Sequence, residues 1–223
     1  MAKKGTIVLD AGHGGGDGGN DTATSKTLEK TTALAITKEA RAALLAAAAK
    51  DGHDLTVLMT RDTDVFIEKY DRPRLAEKNG ADLFLSIHCN ANSKKVAKKD
   101  RNRGVEVWVR IVDKTDPNTD PDPLIQTEAL HALDFAFATA IHDAVLLAIQ
   151  QRDAKTKKRG IKDYDWAVLN RHYLGVKARA CLLEVEFIDV DEVDDLLNVR
   201  PDHDKVRQEI GAAIATALIS SLA

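Results

Sequence analysis

Twice in this chain a short apolar run of strand type ends on a histidine. The first is Thr6-Ile7-Val8-Leu9-Asp10-Ala11-Gly12-His13-Gly14-Gly15-Gly16, and the second is Asp82-Leu83-Phe84-Leu85-Ser86-Ile87-His88-Cys89-Asn90. Short apolar runs bounded by turn residues suit buried strands. In an open α/β sheet, sites form in the crevice outside the carboxyl ends of the strands. The two imidazoles therefore stand where chemistry is expected, and a metal site is the leading reading.

The segments between these runs supply the rest of an α/β fold. Leu28 to Lys50, rich in alanine and leucine and closed by Asp51-Gly52, predicts a helix. Leu55 to Thr60 predicts a second strand, which makes a βαβ beginning. A helix is expected over Asp71 to Asn79, ended by Gly80. Gly104 to Val112 alternates through Val105, Val107, Val109 and Ile111, as a strand with one buried face does. Asp113 to Pro123 reads as an irregular, proline-bearing insertion before a long helix from Leu124 to Gln151. Asp153 to Lys162 reads as a basic connector, Ala180 to Ile188 as a last strand, and the chain ends in a helix from about Asp202. At 223 residues these elements are expected to form one domain, residues 1–223.

Charge and composition narrow the partners. Lys and Arg number 32 against 35 Asp and Glu, a net charge of -3, so no global field draws the protein onto nucleic acid or an anionic membrane. No stretch approaches the ~18 consecutive apolar residues of a membrane-spanning helix. Membrane insertion is not expected. Met1-Ala2-Lys3-Lys4-Gly5 runs into the first strand without an apolar signal segment, so the expectation is synthesis in the cytoplasm without a Sec signal. Cys89 and Cys181 both lie in strand-like apolar runs and suit buried free thiols. The basic segment Ser93 to Arg103 reads as a solvated loop, the alternative being a docking patch for an anionic polymer carried by Lys94 to Arg103.

A catalytic zinc site takes three protein ligands from His, Asp, Glu or Cys and keeps a fourth position open. His13 and His88 supply two. Glu29, at the start of the first helix, is a candidate third, although a glutamate in a first turn also serves the helix dipole. Hydrolysis further requires a general base. A glutamate inside an apolar strand is expensive unless paired or functional, and Cys181-Leu182-Leu183-Glu184-Val185-Glu186-Phe187-Ile188 holds two, of which one is the base. His53, His131, His142, His172 and His203 end no apolar strand and read as structural or surface groups. Cys89 should face away from the metal if His88 faces it. The glycine spacing matches neither a GxGxxG fingerprint nor a P-loop.

Taken in order, Ile7 to Gly15, Glu29-Lys30, Thr60-Arg61-Asp62, Arg74 before Asn79, and Ala81 to Ala91 resemble the successive motifs of the zinc-dependent N-acetylmuramoyl-L-alanine amidases. Gly104-Val105-Glu106-Val107, Arg159-Gly160-Ile161-Lys162, Val168-Leu169 and Leu182-Leu183-Glu184 continue the likeness almost to the end of the chain. The resemblance implies a twisted, mostly parallel (mixed) β-sheet flanked by α-helices. It implies that one Zn2+ is bound by His13, Glu29 and His88 and that Glu184 is catalytic; a nearby polar group such as Asn90 or Arg74 is expected to help the metal stabilise the developing oxyanion. The implied reaction is hydrolysis of the amide between N-acetylmuramic acid and the L-alanine of the peptidoglycan stem, by a phage lysin or a bacterial amidase. Peptidoglycan is then the partner, and a monomer is expected. Where the family carries small residues after the catalytic glutamate, this chain has Val185 and Glu186. Alternatives that share the metal chemistry are a zinc peptidase or a sugar deacetylase of the wall; an inactive wall-binding domain is the alternative outside enzymes.

Overall fold

A computed structural model describes residues 1–114 and 124–223. The strands are β1 (Lys4–Ala11), β2 (Asp54–Met59), β3 (Leu83–Asn90), β4 (Val105–Arg110), β5 (Lys158–Tyr164) and β6 (Arg179–Phe187). The helices are α1 (Glu29–Asp51), α2 (Asp71–Lys78), α3 (Glu128–Gln150), α4 (Arg171–Leu174), α5 (Asp191–Asp194) and α6 (His203–Ser221). The strands form one sheet in the order β2-β1-β3-β6-β4-β5. Neighbours are parallel except β4 and β6, which run antiparallel, so the expected mostly parallel, mixed sheet flanked by helices is what forms.

Alternation along the strands decides what each face of the sheet becomes. Ile7, Leu9, Leu83, Leu85, Ile87, Cys181 and Leu183 point to one face, where α1, α3 and α6 cover them in the larger core. Val8, Phe84, Ala180 and Leu182 point to the other, a smaller core closed by α2, α4 and the turn at Val168-Leu169. Following the smaller face toward the strand ends, Val8 is succeeded by Asp10, Phe84 by Ser86 and His88, and Leu182 by Glu184. The register sets Asp10 against Ser86 and His88 against Glu184. Polar groups therefore gather on one face at the carboxyl ends of β1, β3 and β6.

Cys89 and Cys181 are both buried free thiols, and Cys89 packs in the larger core on the face away from His88. Helix α3 is long and apolar enough to cross a membrane by length and composition, with a mean hydropathy of 1.7. Its apolar residues Phe137, Ile141, Val145 and Ile149 recur at helical spacing and are buried in the larger core, whereas Leu133, Phe135 and Leu147 on the same helix are exposed.

Two expectations need correction. Asp153 to Lys162 is not a connector throughout, because β5 begins at Lys158. Its sequence Lys-Arg-Gly-Ile-Lys-Asp-Tyr carries no apolar alternation; an edge strand held on one side only can be polar. The long helix starts at Glu128, capped by the Thr127 hydroxyl, which accepts from the Leu130 backbone N–H. The insertion expected over Asp113 to Pro123 falls, from residue 115 on, outside the described residues.

Candidate metal centre and its cavity

The turn after β1 is clamped from behind by two buried arginines. Arg61 donates from Nε to the Ala11 carbonyl and from Nη2 to the Gly12 and Lys30 carbonyls. Arg72 donates to the carbonyls of Ala11 and His13 and to Asp10 Oδ1 at 2.9 Å. Asp10, fully buried, also accepts from the Thr60 and Ser86 hydroxyls. Burial alone would raise the Asp10 carboxyl, but the Arg72 charge and the hydroxyl bonds hold it below the usual carboxylate range. Three consecutive carbonyls are thereby fixed, and His13 is held at φ 59°, a left-handed conformation that a non-glycine residue adopts at some strain.

Within this frame three groups converge. His13 Nε2 and His88 Nδ1 each lie 3.0 Å from Glu29 Oε1, and one ligand atom from each residue falls within 4.8 Å of the others. The two rings meet edge to face, with centroids 4.8 Å apart. Glu29 reaches them from the first turn of α1, oriented by Asn20, whose backbone N–H and Nδ2 donate to Oε2 at 2.9 and 2.8 Å. Asp17 Oδ2 lies 2.9 Å from His13 Nδ1. A carboxylate only accepts, so Asp17 holds a proton on Nδ1, which leaves Nε2, the atom that faces Glu29, as the one that would ligate a metal. Burial would raise the Glu29 carboxyl, yet the bonds and charges of His13 and His88 push it well below the ordinary range. Burial would lower His13, but Glu29 and then Asp17 raise it. Two imidazoles and one carboxylate, with His13 oriented by Asp17 and Glu29 by Asn20, fit a tetrahedral N/O metal site with one position left open.

Gly12 matters through space. A Cβ there would lie 2.3–2.6 Å from three atoms of the His88 ring, so the ring must leave its place if a side chain is added. Gly12→Ala is expected to lower metal affinity by roughly ten- to a hundredfold. A competition titration with a chromophoric zinc chelator would check this, and parental affinity would show that His88 does not bind.

The three groups line a cavity of about 430 Å³ together with Glu184, Arg72, and residues of the β2–α2 and β5–α4 connections. Glu184 is half-buried, and its Oε2 is shielded from solvent with no hydrogen-bond partner. Burial drives its carboxyl well above the carboxylate range, and repulsion from Glu29 and Glu106 adds to this, partly offset by Lys162. Glu186 is elsewhere. Strand β6 bulges after Glu184, so that His88 faces Glu184 but Asn90 faces Phe187, and the two glutamates do not share a face as a regular strand would require. Glu186 is fully buried and accepts from the Gly104 and Phe187 N–H groups and the Thr156 hydroxyl, with Arg103 3.5 Å away.

Arg74 and Asn90 are not brought to the cavity. Arg74 is exposed, paired with Asp71 at 2.9 Å and stacked on Tyr173. Asn90 Nδ2 donates to Glu106 Oε1 at 2.6 Å. The arginine that reaches the site is Arg72, two residues earlier on α2, together with Asn20 and Asp17, which strand-end reasoning does not reach because the path of the glycine-rich loop is not periodic. Glu106, directly across from Glu184 on β4, is a further buried acid at the site's margin and is held by Arg159 and Lys162. Part of the basic loop is paired in place: Lys98 with Asp191, Arg101 with Asp189, and Arg103 with Asp153.

The chain is similar to named proteins in sequence and in fold. An endolysin of Bacillus phage SPP1 is 31% identical over 183 residues, covering 82% of this chain and 55% of its own. The N-acetylmuramoyl-L-alanine amidase AmiA of Escherichia coli K12 is 42% identical over 87 residues, covering 39% of this chain and 28% of its own. The chain thus spans about half or less of the length of these curated relatives. In fold it is similar to the crystal structure of an N-acetylmuramoyl-L-alanine amidase from Clostridium difficile 630, with a TM-score of 0.72, 24% identity, and coverage of 98% of this chain and 97% of that one. The family model described as N-acetylmuramoyl-L-alanine amidase matches residues 7–217, and the chain belongs to that family.

Proposed function

We propose that residues 1–223 act as one catalytic domain, a zinc-dependent peptidoglycan amidase that hydrolyses the amide between the lactyl group of N-acetylmuramic acid and the L-alanine of the stem peptide. The observation that carries this reading is the convergence of His13 Nε2, His88 Nδ1 and Glu29 Oε1 in one cavity with the unpartnered Oε2 of Glu184. The names of the relatives, amidases and an endolysin, supply the substrate.

In this reading His13, Glu29 and His88 hold one Zn2+, which supplies Lewis acidity, lowering the pKa of water toward ~7 and polarising a carbonyl. Glu184 removes a proton from the attacking water at Oε2. It then returns that proton to the alanine nitrogen as the carbon–nitrogen bond breaks, leaving a muramic carboxylate and a free amine. Burial strengthens the Glu184 carboxyl as an acceptor for the water proton relative to an exposed glutamate. Asp17 keeps the His13 ring in the required tautomer, and Arg61 and Arg72 fix the backbone that carries it.

Mass spectrometry of purified peptidoglycan digested with the zinc-loaded protein tests the reaction. A new L-alanine amine with the sugar acetyl intact is expected. A freed hexosamine amine would mark a deacetylase, an amine further along the stem a peptidase, and no new end group a wall-binding domain. Any of these three would overturn the assignment.

A further inference from the structure

The cavity around the metal centre has two walls of different chemistry. On one side, Phe66 to Lys69 from the β2–α2 connection line it, and among the described residues neither Glu68 nor Lys69 makes an ion pair; the Lys69 ammonium lies only over the Tyr70 ring, 5.0 Å from its centroid. On the other side the lining is Trp166, Ala167, Val168 and Leu182, with the Glu184 carboxyl beside them on β6 and no basic group. Phe66 packs beside Gly15 in the turn that follows β1, whereas Trp166 packs on Trp108 of β4, so the two stretches approach the candidate ligands from the β1 and the β4 sides of the sheet.

Trp166 is held rigidly for a residue in a connection. Its ring meets Trp108 edge to face at 5.9 Å and Tyr164 at 4.7 Å, and Trp108 is itself stacked under Lys162. A half-buried indole fixed in this way offers a flat face at little further loss of conformational entropy.

We propose that the two walls sort the substrate across the centre: Trp166 takes the neutral pyranose of the muramoyl group, and Lys69 takes a carboxylate of the stem peptide. The inference rests on the amidase reading above and deepens it. The scissile amide joins two halves of unlike chemistry. The sugar half is uncharged and presents C–H faces that pack on an aromatic ring. The peptide half carries carboxylates and, at a diamino residue, an ammonium, charges that Lys69 and Glu68 complement. Reversing the orientation would set the anionic stem against the Trp166 wall, which offers no cation and stands beside the Glu184 carboxyl, and leave Lys69 facing a neutral sugar, so charge complementarity selects one direction.

Binding reads this independently of turnover. Calorimetric titration of the zinc-loaded Glu184→Gln protein would use N-acetylmuramoyl-L-alanyl-D-glutamate, its diamide at both glutamate carboxyls, and the sugar-free D-lactoyl-L-alanyl-D-glutamate. Adding Trp166→Leu, which keeps apolar bulk, is expected to weaken the muramoyl compound about tenfold and leave the sugar-free compound unchanged, while Trp166→Phe restores most of the affinity. Adding the exposed Lys69→Gln is expected to weaken both acids about three- to tenfold and to have no effect on the diamide. Equal weakening of the sugar-free compound by Trp166→Leu, a Lys69→Gln effect that survives amidation, or no binding of either muramoyl compound would overturn the proposal. Failure of the amidase reading would show instead in the end groups released by the parental protein.

Discussion

Glu184→Gln is expected to keep a full complement of zinc and lose on the order of 10²-fold or more in turnover, because the change preserves shape and removes the only proton acceptor proposed for the attacking water. The structure gives Glu186→Gln a different outcome. Glu186 lies behind the bulge, fully buried, and holds Gly104, Phe187 and Thr156 together beside the start of β4. Loss of its charge leaves buried donors less well satisfied, for an expected destabilisation of about 1–3 kcal/mol. Turnover per folded, zinc-loaded molecule should stay near parental. Thermal unfolding and single-turnover kinetics at matched zinc content separate the two effects. A dead Glu186→Gln beside a near-parental Glu184→Gln would place the base on the wrong residue.

That contrast marks where the sequence stops being legible. The strands that end in His13 and His88 announce themselves, because parallel strands buried on both faces read as continuous apolar runs stopped by polar residues. Helix α1 is equally plain, being alanine-rich and ending on Gly52 with φ 71°, where a residue without a Cβ is favoured. Glu184 and Glu186 look equivalent in one dimension. Only the pairing of Asn90 with Phe187 reveals the extra residue that turns one of them away, and a register shift leaves no mark on composition.

Arginines were hard to rank for a related reason. Arg72 and Arg74 differ by two positions on α2, which places them on different sides of a helix: one is buried against Asp10 and the turn carbonyls, the other is exposed beside Tyr173. A helix of eight residues gives too little periodicity to say which side faces inward. Strand β5 was obscured by its place at the sheet edge, where neighbours on one side alone do not demand an apolar pattern.

Removal of the metal should have the largest effect of all. A chelator is expected to abolish activity, added zinc to restore it, and His88→Ala to lose both activity and the bound ion, read by atomic absorption after gel filtration. Stoichiometric zinc in a His13→Ala, His88→Ala double variant would remove the site. The apo protein should also show a pH signature. Its His13 is raised above the ordinary histidine value by Glu29 and Asp17, so the stabilisation from protonated His13 is complete below about pH 6.5 and is lost as pH rises through the raised value. Glu29, held low, acts in the opposite sense: its contribution is complete above about pH 4.5 and is lost as acid protonates it. The melting temperature of apo protein should therefore peak between those limits and fall on the alkaline side. With zinc present the part of the alkaline fall owed to His13 should vanish, because the ion replaces the proton between His13 and Glu29 and binds more tightly as His13 deprotonates. A zinc-loaded protein that melts along the same alkaline slope as the apo form would show that His13 does not exchange its proton for the metal.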